Sequence, residues 1–200
     1  MKDFCLELIR KQSSAEAKFN IMREYLQAYT LRILHDLGMF RSLAFMGGTA
    51  LRFLYDLPRF SEDLDFSLQE RKNYDFLVLL KKLQEELKLA GYQISIKYSE
   101  EKVVQKVFVK FDGLLFEAGL SPLRSQKFSI KLEVDTNPPL GAIFQTYLVN
   151  KYFPISFFSY DLASLFAGKC GAVLTRSYTK GRDFYDAAWF LSRWKDLTPN

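Results

Sequence analysis

The first half of the chain carries helical hydrophobic patterns on both sides of a strand-like segment. Apolar residues recur at steps of three and four over residues 14–37 and again over residues 73–90, which predicts two amphipathic helices. A shorter helix is predicted for residues 3–12. Gly38 and Gly91 follow the two long stretches, at the position where helices often end. We expect these helices to pack on a sheet.

Shorter stretches are apolar throughout or alternate in the way that strands do. Residues 43–46 are apolar and short enough for a buried strand. A helix over residues 50–57, ended by Pro58, separates this strand from the next. The alternating stretches are predicted as strands over residues 63–67, 92–98, 103–111 and 127–136. The sequence therefore predicts an α+β protein with a mixed sheet and flanking helices.

The strongest break in the chain is the segment from Asn137 to Gly141, which contains two prolines. We place a boundary there, between residues 1–140, with the N-terminal helices and the catalytic sheet, and residues 141–200, a C-terminal helical part. In that part a helix is predicted from about residue 160 to residue 175, with Ser159 as its N-cap. At 200 residues the two parts are expected to form one compact unit.

Composition narrows the class of protein. A hydrophobic fraction of 48% is enough for a proper core. A net charge of +5 suits a polyanionic partner such as RNA, although an ordinary solvated surface explains so mild an excess equally well. No apolar run approaches a membrane span and no signal peptide is visible, so a cytoplasmic protein is expected.

Cysteine and histidine usage excludes several kinds of site. Cys5 and Cys170 are far apart in the sequence and suggest neither a disulfide framework nor a zinc cluster. The single histidine, His35, lies near a predicted helix end and argues against Ser-His-Asp or Cys-His catalysis. The remaining candidates for functional groups are carboxylates and cationic side chains.

A glycine turn opens the segment richest in candidate chemistry. Gly47 and Gly48 follow the first predicted strand and allow the backbone to approach a ligand closely. Thr49 is predicted to cap the next helix. The free N–H groups at that helix N-terminus form a natural phosphate site. Ser61, in the following loop, either contacts phosphate or caps a turn.

The next strand carries Asp63 and Asp65 at alternate positions, so both carboxylates share one face while Leu64 and Phe66 face the core. Two carboxylates side by side repel each other. A cation between them explains such a pair best, and Mg²⁺ is the usual choice beside phosphates.

The glycine turn, the helix and the Asp-x-Asp strand resemble the polymerase-β-like nucleotidyltransferase superfamily. The longer sequence motif is similar to that of the AbiEii/AbiGii toxin family. This family comprises the nucleotidyltransferase toxins of type IV toxin–antitoxin and abortive-infection systems. The motif runs from Gly47-Gly-Thr-Ala-Leu-Arg52 to Arg59-Phe-Ser-Glu-Asp-Leu-Asp-Phe66. Mycobacterial MenT toxins are similar as well.

The resemblance extends to a third carboxylate on the strand over residues 127–136. Glu133 and Asp135 occupy the same face as Lys131, opposite the apolar face of that strand. Glu133 matches the position that the family uses better than Asp135 does. An exposed edge strand with charged outer residues is the alternative.

Cations and acids in the last third of the chain match the later motifs of the family. Lys169 lies on the apolar stripe of its helix and needs a partner such as a triphosphate, unless it reaches solvent. Asp183 and Asp186 stand in the first turn of the last helix, where acids are favoured electrostatically. By resemblance, Lys169 binds nucleotide phosphate and Asp183 is required for activity. The remaining candidates for phosphate or RNA contact are Arg176, Lys180 and Arg182.

The resemblance implies a metal-dependent enzyme, in which Gly47, Gly48 and Thr49 would bind the β- and γ-phosphates of the nucleotide. Mg²⁺ or Mn²⁺ on Asp63, Asp65 and Glu133 would serve the transfer of a nucleotide from an NTP to an RNA acceptor, such as the 3′ end of tRNA, which would block translation. A cognate antitoxin is the expected protein partner. Two alternatives stay open: transfer to a small-molecule or protein hydroxyl, and a protein of the same fold that binds without catalysis.

Overall fold

The computed structural model describes residues 1–101, 103–178 and 180–200. Its helices are α1 (Lys2–Arg10), α2 (Ala15–Asp36), α3 (Gly47–Tyr55), α4 (Phe76–Leu89), α5 (Leu114–Glu117), α6 (Leu162–Thr175) and α7 (Gly181–Arg193). Its strands are β1 (Leu43–Met46), β2 (Asp63–Leu68), β3 (Ile94–Glu101), β4 (Val104–Phe111), β5 (Phe128–Asp135), β6 (Phe144–Asn150) and β7 (Pro154–Tyr160).

The two long helices form where the periodicity predicts them. Ser14 caps α2 by accepting a hydrogen bond from the Ala17 N–H at 3.1 Å, and Asp75 caps α4 by accepting one from the Val78 N–H at 2.9 Å. Gly38 follows α2 with φ +70°, a conformation that glycine adopts without strain. α1 is shorter than predicted and ends at Arg10.

The strands of the described residues form one mixed sheet in the order β3-β4-β5-β2-β1-β7-β6. β2 pairs parallel with β5 and antiparallel with β1, and β1 pairs parallel with β7. The α+β class and the mixed sheet with flanking helices are thus confirmed. β2, which carries the two aspartates, is the central strand.

Residues 141–160 differ from the sequence prediction. Instead of beginning a helical part, they form the hairpin of β6 and β7, and β7 joins the sheet beside β1. The predicted boundary near residue 140 therefore does not coincide with an edge of the sheet. Helices resume only with α6, after Asp161.

The sheet separates two hydrophobic clusters. The larger cluster lies under α1, α2 and α4 and includes Leu64 and Phe66, which are 0% and 1% exposed. The smaller cluster lies on the opposite face and joins α3, α6 and α7 through Leu51, Phe166 and Phe190. Since Asp63 and Asp65 alternate with Leu64 and Phe66, the aspartates face the second side of the sheet.

Two predicted helix caps are wrong. α3 begins at Gly47, and Thr49 donates its hydroxyl hydrogen bond to the Asp63 carbonyl instead of capping the helix. Ser159 lies within β7 and donates to the Phe45 carbonyl at 2.6 Å. Asp161 caps α6 by accepting from the Ser164 N–H. The Thr49 hydroxyl therefore links α3 to β2, and the Ser159 hydroxyl links β7 to β1.

None of the helices in the described part of the chain is both long and apolar enough to cross a membrane.

Candidate active site

The carboxylates of the site come together through the register of two neighbouring strands. The parallel pairing of β2 with β5 places Asp65 beside Glu133 and Asp63 beside Lys131. Paired residues in a sheet share a face, so these four side chains lie on the side of the sheet that α3 and α6 cover. The strand pattern thus concentrates three carboxylates and one ammonium group at the centre of the sheet.

Glu133, and not Asp135, is the carboxylate beside the aspartate pair. Asp135 is paired with Ser67, and its Oδ1 accepts a hydrogen bond from the Asn137 N–H at 2.9 Å. The Lys131 Nζ lies 2.9 Å from Glu133 Oε1. Of the two candidates for a third carboxylate, Glu133 has the matching register, and it is engaged by a lysine of its own strand.

The glycine turn makes room for side chains of the site. Gly47 has φ +79°, and a Cβ atom built on it would lie 2.1 Å from Asp65 Oδ2. A Cβ atom on Gly48 would lie 2.8 Å from Arg59 Nη2 and 2.9 Å from Ser61 Oγ. Any larger residue at either position would displace a polar group from the site.

The carboxylates are poorly compensated in this arrangement. Burial raises the pKa of Asp65 from 3.8 to about 6, and the charges of Asp63 and Glu133 add to the effect, against Lys169 and Lys131. Burial also raises the pKa of Asp63, although Lys131 and Arg182 act in the opposite direction. Excess negative charge at this point favours a bound cation.

The described residues contain no group of three carboxylate, cysteine or histidine side chains already arranged as metal ligands. The donor set nevertheless fits a hard divalent cation, because Asp63, Asp65 and Glu133 offer only oxygen atoms and Asp65 sits in a cluster of like charges. Glu133 would have to exchange its contact with Lys131 for the metal.

Lys169 has the inward position that the sequence predicts, and its partners are aspartates of α7. Its Nζ lies 2.8 Å from Asp186 Oδ2 and 4.0 Å from Asp183 Oδ1. Arg176 forms an ion pair with Asp183. The Arg182 guanidinium lies 4.0 Å from Asp63 Oδ2. The C-terminal motifs are therefore brought to the carboxylates of β2.

Most of the predicted residues line one polar cleft of about 110 Å³. We define the polar cleft by Gly48, Arg59, Ser61, Asp63, Asp65, Lys131, Glu133, Lys169, Arg176, Lys180, Arg182 and Asp183. Gly47 and Asp135 instead line a larger neighbouring cleft, and Thr49 is fully buried.

The larger cleft has a volume of about 410 Å³ and meets the polar cleft at Asp65, Glu133, Lys169 and Arg176. We call it the apolar cleft, since much of its wall is formed by Met46, Val104, Tyr160, Leu165 and Ala172. An apolar wall beside clustered cations and carboxylates suits a flat aromatic group that carries phosphates.

Sequence reasoning missed two residues of the site, Arg59 and Lys131, and gave Asp186 only an electrostatic explanation. Asp186 is 0% exposed, and Arg59 donates to both of its oxygen atoms at 2.6 Å. One signal was present for Asp186: it lies on the helical face of α7 that also carries buried Phe190, and an aspartate on such a face needs a cationic partner. Arg59 begins the Arg59–Phe66 segment that carries the resemblance, but nothing in the sequence indicated a role for it.

Comparison with known proteins identifies the family of the chain. The model of the family described as nucleotidyl transferase AbiEii toxin, type IV toxin–antitoxin system, matches residues 31–200. This match covers most of the chain and shows that it is a nucleotidyltransferase. It belongs to the AbiEii nucleotidyltransferase toxin family, whose type IV toxin–antitoxin systems imply a nucleotide substrate and an antitoxin partner.

Solved structures share the fold. MenT4, a nucleotidyltransferase toxin of Mycobacterium tuberculosis H37Rv, is 19% identical with a TM-score of 0.62, over 96% of this chain and 65% of that one. JHP933 of Helicobacter pylori is 19% identical with a TM-score of 0.61, over 89% and 68% of the two chains. A second H. pylori protein, titled a nucleotidyltransferase, is 21% identical with a TM-score of 0.59, over 88% and 69%. No curated protein sequence matches significantly.

Proposed function

We propose that the chain transfers a nucleoside monophosphate from an NTP to a hydroxyl group of RNA, at the 3′ end of tRNA, and so blocks translation. The observation that carries the proposal is the charge of the polar cleft, where a carboxylate cluster faces a larger set of cations. The cations are Arg59, Lys131, Lys169, Arg176, Lys180 and Arg182, and the anions are Asp63, Asp65, Glu133 and Asp183. Such a surface attracts polyphosphate and RNA.

Asp63, Asp65 and Glu133 are the residues that would hold Mg²⁺ or Mn²⁺. When bound, the metal would lower the pKa of the attacking hydroxyl and neutralise charge on the departing pyrophosphate. Burial of the Asp65 carboxylate among like charges supports this assignment, because a metal relieves the repulsion that raises its pKa.

The residues of the chain itself would bind and orient the triphosphate. The N–H groups at the N-terminus of α3, at Gly47 and Gly48, are not capped by a side chain and would offer an anion site. Lys169 and Arg182 also line the polar cleft and would add positive charge near the departing pyrophosphate. The apolar cleft would receive the base.

The charge of the cleft favours RNA over the alternative acceptors. A small cationic acceptor, such as an aminoglycoside, would be expected to meet an acidic pocket. Here Arg176 is 42% exposed at the polar cleft, and Tyr178, two residues further along the chain, is 68% exposed. Exposed aromatic and basic groups together are typical of surfaces that bind unpaired nucleotides.

The test is transfer of label from each common ribonucleoside triphosphate, labelled at its α-phosphate, to total tRNA in the presence of Mg²⁺. The wild-type chain is compared with Asp65→Ala and with Asp3→Ala, which removes an exposed carboxylate on α1. We expect label on tRNA with the wild type and Asp3→Ala, and its loss with Asp65→Ala.

The outcomes separate the candidate functions. Label that Asp65→Ala abolishes establishes RNA nucleotidyl transfer and identifies the nucleotide. Label on protein or on a small molecule, with none on tRNA, would show that the acceptor is a protein hydroxyl or a small-molecule hydroxyl. If folded protein binds NTP but shows no turnover with any acceptor, the result would support the alternative of a protein that binds without catalysis.

A further inference from the structure

One arginine of the polar cleft has no assigned role. Arg59 lies in the loop between α3 and β2, and its side chain is 18% exposed. Its Nε and Nη2 donate to the two oxygen atoms of Asp186, both at 2.6 Å, and its Nη1 donates to the Phe60 carbonyl at 3.0 Å. The bidentate contact with Asp186 fixes the plane of the guanidinium group.

The guanidinium group keeps donor capacity for a ligand. Arginine has five N–H donors, and the three bonds described leave one hydrogen on each of Nη1 and Nη2. The Nη2 atom lies beside Gly48, at the N-terminus of α3, where a Cβ atom would come within 2.8 Å of it. Arg59 and the free N–H groups of the helix thus converge on the same part of the polar cleft.

Asp186 joins Arg59 to Lys169. The Lys169 Nζ contacts Asp186 Oδ2 at 2.8 Å, so one fully buried carboxylate holds two cations at the polar cleft. The cluster of these three side chains has a surplus of one positive charge. A cluster of this kind is charged and oriented for an anion before the anion arrives.

We propose that Arg59 binds the triphosphate of the substrate and that Asp186 is the positioning residue that holds Arg59 and Lys169 in place for it. The inference rests on the proposed function only in requiring a triphosphate substrate, and it makes no use of the acceptor. It adds two residues, one from each half of the chain, to the phosphate-binding part of the site.

Arg52 offers a matched control within the same fold. It also forms an ion pair with a buried carboxylate, Glu24, and it donates to the carbonyls of Leu57 and Pro58 in the loop that carries Arg59. Its side chain is 14% exposed, close to that of Arg59. Arg52 is absent from the residues that line the polar cleft within the described chain. The two arginines therefore share a structural role and differ in contact with the cleft.

The experiment measures binding of inorganic tripolyphosphate by calorimetry, at constant Mg²⁺, to the wild type, Arg59→Lys, Arg52→Lys and Asp186→Asn. Tripolyphosphate avoids the unknown base. Lysine retains the charge and keeps each buried carboxylate paired, so both variants are expected to fold, and thermal unfolding checks this. We expect Arg59→Lys to bind about tenfold more weakly and Arg52→Lys to bind within about twofold of the wild type.

Asp186→Asn separates orientation from charge. Removing a negative charge beside two cations would tighten anion binding if only Coulomb attraction mattered. We expect weaker binding, because Arg59 and Lys169 lose the group that orients them. Unchanged or tighter binding by a folded Asp186→Asn chain would overturn the positioning role.

Equal losses with Arg59→Lys and Arg52→Lys would show that both arginines merely order the loop, and would overturn the inference. So would wild-type affinity in Arg59→Lys, or no binding by the wild-type chain. Binding that depends on Arg59, in a chain that labels no RNA, would instead uphold the inference while the RNA acceptor is rejected.

Discussion

Asp65 is held at a position where its negative charge is unfavourable. Its carboxylate is surrounded by Asp63 and Glu133 and by a glycine turn so close that no Cβ fits between them. This arrangement suits a group that binds a cation, but it lowers the stability of the fold. Function and folding therefore have opposite requirements at this residue.

Asp65→Asn is expected to stabilise the protein in the absence of divalent metal. The pKa of Asp65 is about 6 in the folded chain and near 3.8 when unfolded. The folded state thus binds the proton more tightly, and the stability present below about pH 4 is lost as the pH rises through about 6. A gain on the order of 2 kcal/mol at neutral pH follows.

Denaturant unfolding in EDTA, near neutral pH and again near pH 4, checks the effect. Most of the gain should be lost at the acidic pH, because Asp65 is then protonated in the folded state and only partly ionised in the unfolded state. A gain of the same size at both pH values would contradict the explanation, and Asp3→Asn serves as the surface control.

Gly47→Ala is expected to abolish transfer while leaving the protein folded. The new Cβ would stand 2.1 Å from Asp65 Oδ2 and push that carboxylate out of the site. Gly119→Ala is the matched control, since Gly119 also has a positive φ, +66°, but no atom within 4 Å of a built Cβ. Both variants should lose about 1 kcal/mol from backbone strain.

Labelling of RNA by the two glycine variants is then compared at equal folded concentration. Only Gly47→Ala should lose activity, by at least about 100-fold. Similar losses in both variants would mean that backbone strain alone disables the enzyme.

The connection between α6 and α7 is the element that carries the exposed chemistry. Its described residues include Arg176, Tyr178 and Lys180, and the Lys180 Nζ lies 5.9 Å from the centre of the Tyr178 ring. A side chain with so large an exposed ring contributes little to the core. Its place beside the polar cleft suits stacking on an unpaired acceptor base.

Tyr178→Ala is expected to raise the KM for RNA by about tenfold, because one stacked base is lost. Binding of tripolyphosphate should remain as in the wild type, since phosphate contacts are not involved. Tyr98→Ala, at an exposed tyrosine of β3, should change neither quantity. An unchanged KM for RNA in Tyr178→Ala would remove this residue from the acceptor surface.

The elements that sequence patterns predicted are those with a buried face. α2, α4 and β5 each place apolar residues at the period of their structure, and each is confirmed within a few residues. β6 was missed because it is an edge strand with Leu148 80% exposed, so its two faces differ little in hydrophobicity. β7 was missed as well, because it begins with a proline and follows β6 after a short connection.

At the scale of the whole molecule, the site combines local and distant information. Asp63, Asp65 and the glycines are close in sequence, and their spacing was enough to predict them. Arg59 and Asp186 are 127 positions apart, and only the packing of α7 against the loop brings them together. Periodicity and motif spacing cannot reveal such a pair, because neither residue constrains its neighbours in sequence.

The basic cleft predicts a salt dependence for the whole enzyme. RNA affinity should fall steeply as salt rises, and Lys180→Gln should reduce the slope of log K against log salt by about 1. Lys82 is an exposed residue of α4, on the opposite face of the sheet from the cleft, and Lys82→Gln should leave the slope unchanged. Equal slopes for all three proteins, from anisotropy of labelled tRNA, would contradict a role for Lys180 at the phosphate backbone.

If Asp186 has the proposed positioning role, its ion pair with Arg59 also determines when the enzyme can become active. Synthesis on the ribosome delivers Arg59 127 residues before Asp186 of α7. The nascent toxin therefore lacks the carboxylate that orients its phosphate-binding cations until α7 has emerged. With the activity proposed above, against tRNA, the enzyme would in this way stay harmless to the ribosome that is making it.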